Sequence, residues 1–366
     1  MKPVAKPLSM TQVLLCGAAI VTLSMGIRHG FGLWLLPVTQ TMDWTRQTFS
    51  FAMAIQNISW GLAGVLIGVA QAGTTYAVVY GVIGRNVPAE RRSWAMGITA
   101  AAGSFGQFLM VPVEGFLIAS FGWQTALVLL GMAVLVIVPL AFGLREPGFS
   151  DGVAPRREQT ITQAIREAFR YPSFQMLTAG YFVCGFQVVF IAVHLPGYLK
   201  DHGLEPQVAS YALALIGLFN VFGTYASGVL GQRMRKSRIL ATIYLTRSVA
   251  IGAFLLAPLT PISVYVFASV MGLLWLSTVP VTNATVAQIF GVAHLSMLSG
   301  FVFLSHQIGS FLGVWMGGLL YDQTGNYDTA WLIAIALGLL AALINLPVKE
   351  SAIRRSTPPA SAMAQG

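Results

Sequence analysis

The chain has 366 residues and a formal net charge of +9, yet only 9% of it is charged while 56% is hydrophobic. Its mean hydropathy is +0.73, and ordinary soluble domains carry about 25% charged residues, so too little charge is present to clothe a water-soluble fold. The basic residues stand in short clusters between apolar runs, where orientation signals of membrane segments belong, and this excludes a nucleic-acid partner.

Taken in order, the apolar runs predict spans near 12–36, 48–84, 93–119, 123–143, 174–199, 206–231, 239–258, 262–289, 295–320 and 328–347. In hydrocarbon every backbone polar group must be satisfied internally, so runs of this length are helices. No ten-residue alternation of the β-barrel kind occurs. Lys2 and Lys6 precede the first run, which continues to about Leu36 without a cleavage site and reads as an uncleaved helix. The second run, Gln47 to Gly84, holds 38 uncharged residues. As one helix it would measure about 57 Å against a core of about 30 Å. Splitting it into two crossings would reverse everything downstream, so it is read as one crossing broken near Gly61 or Gly64. Cys16 and Cys184 lie inside apolar runs and form neither a disulfide framework nor a metal motif; no metal and no cofactor is expected.

The segment 144–172 is different, with Arg145, Arg156, Arg157, Arg166, Arg170, Pro147 and Pro155. It reads as a cytoplasmic central loop in which Thr160 to Phe169 has helical apolar spacing and suits the membrane surface. The expected organisation is an incomplete N-terminal bundle at 1–143, this loop, a six-helix bundle at 173–350 and a disordered tail at 351–366. With the N-terminus inside, 17 of the 21 basic residues fall on the cytoplasmic side. Arg46 and Lys200 fall outside, and Arg28 and Arg247 lie within helices. The positive-inside rule therefore places both termini in the cytoplasm of a multi-pass inner-membrane protein.

The two halves are related. Gly97, Gly106, Gly115 and Gly122 match Gly300, Gly309, Gly318 and Gly325 at a constant offset of 203. Earlier positions match at a smaller offset: Leu36-Pro37 against Leu195-Pro196 at 159, and Phe51-Ala52 against Tyr211-Ala212 at 160. The offset grows by about 43 residues between positions 60 and 97, so about two helices' worth of chain is missing from the first half. An even number of lost crossings keeps the downstream orientation.

Ten crossings, a central basic loop and two related halves resemble the major facilitator superfamily, whose usual plan is two six-helix bundles. Gly228 to Lys236 is similar to the family's loop motif, with Gln232 in place of its acidic residue. Gly317 to Trp331 looks like the end of the eleventh helix, and Asp43-Trp44-Thr45-Arg46 resembles the monocarboxylate and oxalate/formate transporter branch. The resemblance implies an all-α integral membrane fold of about ten transmembrane helices instead of twelve, no enzymatic activity, and secondary transport of a small organic anion by alternating access, proton-coupled, as a monomer in the lipid bilayer. Efflux of amphipathic compounds and an inactive truncated transporter are the alternatives. No zinc motif, phosphate-cradling loop or paired intramembrane carboxylates support a membrane enzyme.

Ionisable and amide groups at membrane depth are the candidate site. Arg28 leads: it lies about eight residues from the helix end among Gly26, Gly30 and Gly32, and a guanidinium fork suits a carboxylate, although an arginine so placed can also snorkel. Its neighbour His29 points about 100° away. Gln56, Asn57, Tyr76, Tyr80, Gln187, Asn220, Asn283, His306 and Gln307 complete the expected substrate-binding set, with His194 beside them. His306 is the expected proton-coupling residue, because histidine titrates near physiological pH. Arg247 reads as snorkelling or pairing structurally, and Glu114 as an exposed rim residue.

Overall fold

In a computed structural model, residues 9–70, 89–142, 159–291 and 294–353 are described, and every regular element among them is helical. Helix α1 (Met10–His29) starts at Ser9, whose side chain accepts from Gln12 N at 3.1 Å. Gly30 ends it, a 3₁₀ turn (Phe31–Trp34) follows, and α2 (Leu35–Met42) carries the path to Asp43, which turns left-handed at φ 53°. Helix α3 (Arg46–Ala70) runs unbroken through Gly61 and Gly64. The break expected there is absent: an isolated glycine weakens a helix by about 1 kcal/mol relative to alanine but leaves its hydrogen-bond ladder whole. The remainder of that run, with Tyr76 and Tyr80, lies outside the described residues.

Helix α4 (Ala89–Val134) is two helices joined at Gly122, whose φ of 74° and ψ of 162° only glycine adopts readily. That is the boundary expected between 119 and 123. A short α5 (Ile137–Phe142) follows. The surface helix appears as α6 (Ile161–Arg170), closed by a reciprocal Thr160–Gln163 capping box. Then come α7 (Pro172–Asp201), α8 (Pro206–Arg233) and α9 (Lys236–Leu256). The run 262–289 is not one helix but α10 (Pro261–Leu274) and α11 (Thr278–Phe290), parted at Trp275–Ser277. Finally α12 (Leu295–Thr324) and α13 (Asp328–Asn345) close the chain, and Ile353 N bonds to Ile289 O at 3.0 Å. Eight segments among the described residues are long and apolar enough to cross a membrane. Dividing Ala101–Phe142 at Gly122 and adding α3 gives the ten crossings read from the sequence.

Packing repeats as the offsets require. Helix α1 packs on α4 and α7 on α12, while α3 packs on α12 and α4 on α8. A Cβ at Gly106 of α4 would meet the Thr22 carbonyl of α1, and a Cβ at Gly309 of α12 would meet the Phe182 carbonyl of α7. Thr22 and Phe182 stand 160 apart, like their helices. At the seam between the halves, Gly115 faces the Ser210 hydroxyl and Gly318 faces the Ser50 hydroxyl, again 160 apart. Small residues let backbones approach where no hydrophobic effect drives helix association.

One end of the bundle is clamped across the halves. Arg46 at the start of α3 grips Asp201 at the end of α7 through two N–H···O bonds of 2.7 and 2.8 Å. Its guanidinium also donates to Tyr327 OH at 2.9 Å and lies 3.7 Å over the Tyr321 ring. Gln47 N adds a bond to Asp322 Oδ2 at 2.8 Å. A bidentate, ring-covered pair exceeds an ordinary surface ion pair in value. A double-mutant cycle of Arg46→Ala and Asp201→Ala, read by reversible denaturation in mixed micelles, is expected to give a coupling energy of about 1 kcal/mol. Simple additivity would mark the contact as incidental.

Candidate functional site

Arg28 lies in the last turn of α1, half-buried, and its Nη2 donates to Asn57 Oδ1 of α3 at 2.5 Å. Asn57 is buried and anchors its own amide on Met53 O at 2.8 Å. The Asn57 carbonyl in turn accepts from Gln307 Nε2 of α12 at 3.0 Å. Gln307 Oε1 takes the Nδ1–H of His306 at 2.9 Å, which fixes the proton on Nδ1 in this arrangement. The His306 ring stands 5.0 Å from that of Tyr181 and stacks on Phe303 at 6.0 Å. Ser310 closes the group by donating to the His306 carbonyl at 2.9 Å.

Four of the expected residues, Arg28, Asn57, His306 and Gln307, thus form one hydrogen-bonded chain across the seam between the halves. The seam allows it because Gly318 and its neighbours bring α3 close to α12. Chemically the chain sets a planar, permanently charged fork beside polar groups that polarise one another in a low-dielectric setting. That combination suits a small anion with oxygen acceptors.

The other expected residues go elsewhere. Gln56 is exposed, turned about 100° from Asn57 around α3. Gln187 is fully buried but donates to Ala334 O at 2.9 Å, tying α7 to α13. Asn220 holds Ser104 at 3.0 Å and accepts from Thr224 Oγ1 at 3.0 Å and Leu276 N at 2.9 Å, a structural junction of α8, α4 and the α10–α11 break. Asn283 donates to Val279 O of its own helix at 2.9 Å. His29 bonds to Met25 O at 2.6 Å, and His194 to Val314 O at 2.8 Å and Tyr327 OH at 3.3 Å. Two open depressions of about 520 and 510 Å³ lie around Arg170 and Phe174 and touch none of the chain.

Arg247 takes the second of its two expected roles, and Glu114 departs from expectation. Arg247 does not snorkel. It is fully buried and pairs structurally, its Nε and Nη2 donating to Leu274 O at 3.2 and 2.5 Å and its Nη2 to Trp275 O at 2.5 Å. Those carbonyls are orphaned by the break between α10 and α11, and a guanidinium fork satisfies both. Glu114 is not a rim residue either: it is fully buried on α4, and its Oε2 accepts from Trp34 Nε1 at 3.1 Å. Its position opposite Gly30 explains this, because the absent Cβ there leaves the carboxyl a berth. Replacing Arg247 with Met, similar in length but without donors, is expected to cost about 3 kcal/mol in the same denaturation assay. A loss under about 0.5 kcal/mol would show that the break is satisfied without it.

Residues 30–285 match the family model of the Major Facilitator Superfamily. The chain is 27% identical over 276 residues to "Monocarboxylate transporter 13" of Rattus norvegicus, covering 73% of this chain and 63% of that protein. It is 25% identical over 259 residues to "Uncharacterized MFS-type transporter YcxA" of Bacillus subtilis (strain 168), covering 69% of this chain and 63% of that one. It therefore spans a little under two thirds of the length of these relatives. In three dimensions it is similar to a crystal structure of a bacterial homologue of the human lysosomal transporter Spinster, inward-facing and unoccupied. The TM-score is 0.65 at 17% identity, over 95% of this chain and 97% of that one, a likeness of fold alone.

Proposed function

The chain belongs to the major facilitator superfamily, and from that premise we propose that it is a secondary transporter of a small organic anion of the monocarboxylate class. It works by alternating access and is proton-coupled. It sits in the inner membrane with both termini in the cytoplasm, so the Arg46 clamp lies at the outer face. The observation that carries the reading is the chain Arg28–Asn57–Gln307–His306. It places one guanidinium where both halves can reach a bound carboxylate, so binding and rocking engage the same residues. His306 joins that network through Gln307, so its protonation would feed directly on the anion's site. The relatives named as monocarboxylate transporters support the substrate class.

The test is counterflow of radiolabelled small monocarboxylates into proteoliposomes, comparing the unaltered chain with Arg28→Ala. Loss of a charge-assisted contact of about 1.5–3 kcal/mol is expected to weaken half-saturation by ~10–100-fold. Arg28→Lys, which keeps the charge but not the fork, falls between the two. Counterflow of monocarboxylates indifferent to Arg28 would remove the site from Arg28. Counterflow confined to amphipathic compounds would favour the efflux reading. None of either, from monodisperse protein, would identify an inactive truncated carrier.

A further inference from the structure

Glu114 is the sole ionisable side chain between residues 93 and 142. It is 0% exposed, and beyond the Trp34 contact its Oε1 has no hydrogen-bond partner among the described residues. An ionised carboxylate so placed is costly, whereas a neutral one is tolerable. Among the described residues no packing neighbour forms an ion pair with it. From α1 come Arg28, engaged with Asn57, and His29, bonded to Met25 O. From α8 come Glu205 and Tyr211, both exposed. From α7, which packs on the 3₁₀ turn, comes His194, bonded to Val314 and Tyr327. The turn itself, α2 and α5 bring no ionisable residue.

The repeat makes this burial conspicuous. At the offset of 203, Glu114 corresponds to Gly317; at 160, Trp34 corresponds to His194. In the second half, Gly317 has the His194 ring close against it, so the matching space is taken by that ring and position 317 itself carries no side chain. The fold thus has a solution for this position that needs no acid, and the first half uses an acid instead.

The position also lies beside the packing of α4 on α8. Gln107 of α4 donates to Leu213 O of α8 at 2.9 Å and Ser210 of α8 donates to Val111 O of α4 at 3.3 Å. Glu114 lies about 20° from Gln107 around the helix, at the border between the stripe facing α8 and the face that meets Gly30 and Trp34. Next to it, Gly115 meets Ser210, near the start of α8 and hence near the Arg46–Asp201 clamp.

We propose that Glu114 is the group that carries the coupling proton: it takes one proton when the Arg46 face is open, and only its neutral form lets α4 and α8 close over it. This rests on the proton-coupled reading above and assigns the proton to Glu114 rather than His306. Ionisation of the buried acid is the penalty that prevents closure without a proton.

The test uses Glu114→Gln, a permanent mimic of the neutral acid that still accepts from Trp34, and Glu114→Gly, which copies the second half. In proteoliposomes both variants are expected to keep substrate counterflow. Accumulation driven by an inward proton gradient is lost, and counterflow becomes flat from about pH 5 to about pH 8. If the unaltered chain accumulates substrate and Glu114→Gln accumulates it equally, the proposal is overturned while the transport reading stands. The second readout needs no transport: infrared spectra of the unaltered protein minus those of Glu114→Gln at neutral pH. A protonated-carboxyl stretch in that difference supports the assignment even if counterflow fails and the transport reading falls. A carboxylate signature in its place overturns it.

Discussion

Helices in a membrane are not driven together by exclusion from water, so their approach is set by what stands between their backbones. In this molecule that is a set of glycines that tolerate no Cβ: Gly106 against Thr22, Gly309 against Phe182, Gly32 against Ala192. Each lets two backbones lie nearly in contact, and together they fix α1 on α4, α7 on α12 and the two halves on each other. The hydrogen-bonded chain from Arg28 to His306 depends on that spacing, since a seam wider by one methyl group would leave Asn57 and Gln307 unable to reach. The polar site is a by-product of tight apolar packing, and its members cannot be moved singly.

The same spacing explains why some polar residues join a chain across the seam and others brace the scaffold. Arg28 and Arg247 are both arginines at membrane depth. Arg247 is absorbed by two carbonyls freed where α10 ends, whereas Arg28 meets a side-chain amide from another helix. Gln187 and Gln307 are both buried glutamines, yet one reaches a carbonyl within the second half and the other crosses the seam. What decides the role is which helix supplies the partner.

That is also the limit of what the sequence disclosed. The spans, the helix after Thr160 and the boundary at Gly122 were legible because each is local: apolar length, helical apolar spacing, a gap between two apolar runs. The repeat was legible too, and its offsets of 203 and 160 anticipated which glycine meets which helix. Arg28, Asn57, His306 and Gln307 were singled out because intramembrane polarity is rare, and the structure joins them in one hydrogen-bonded chain. Gln56, Gln187, Asn220 and Asn283 were grouped with them because a one-dimensional pattern does not say which face of a helix meets which neighbour. Glu114 was misjudged for the same reason: a residue near the outer end of an apolar run reads as a rim, until Gly30 of another helix is seen to make room.

The break at Trp275–Ser277 has a mechanical meaning. A continuous helix twists as one rod, so a rotation imposed at its base appears at its tip. A rod cut in the middle and held by Arg247 and Asn220 bears compression but passes on little torque. The segment from Pro261 to Phe290 is therefore two short rods bridged by side-chain bonds rather than one lever.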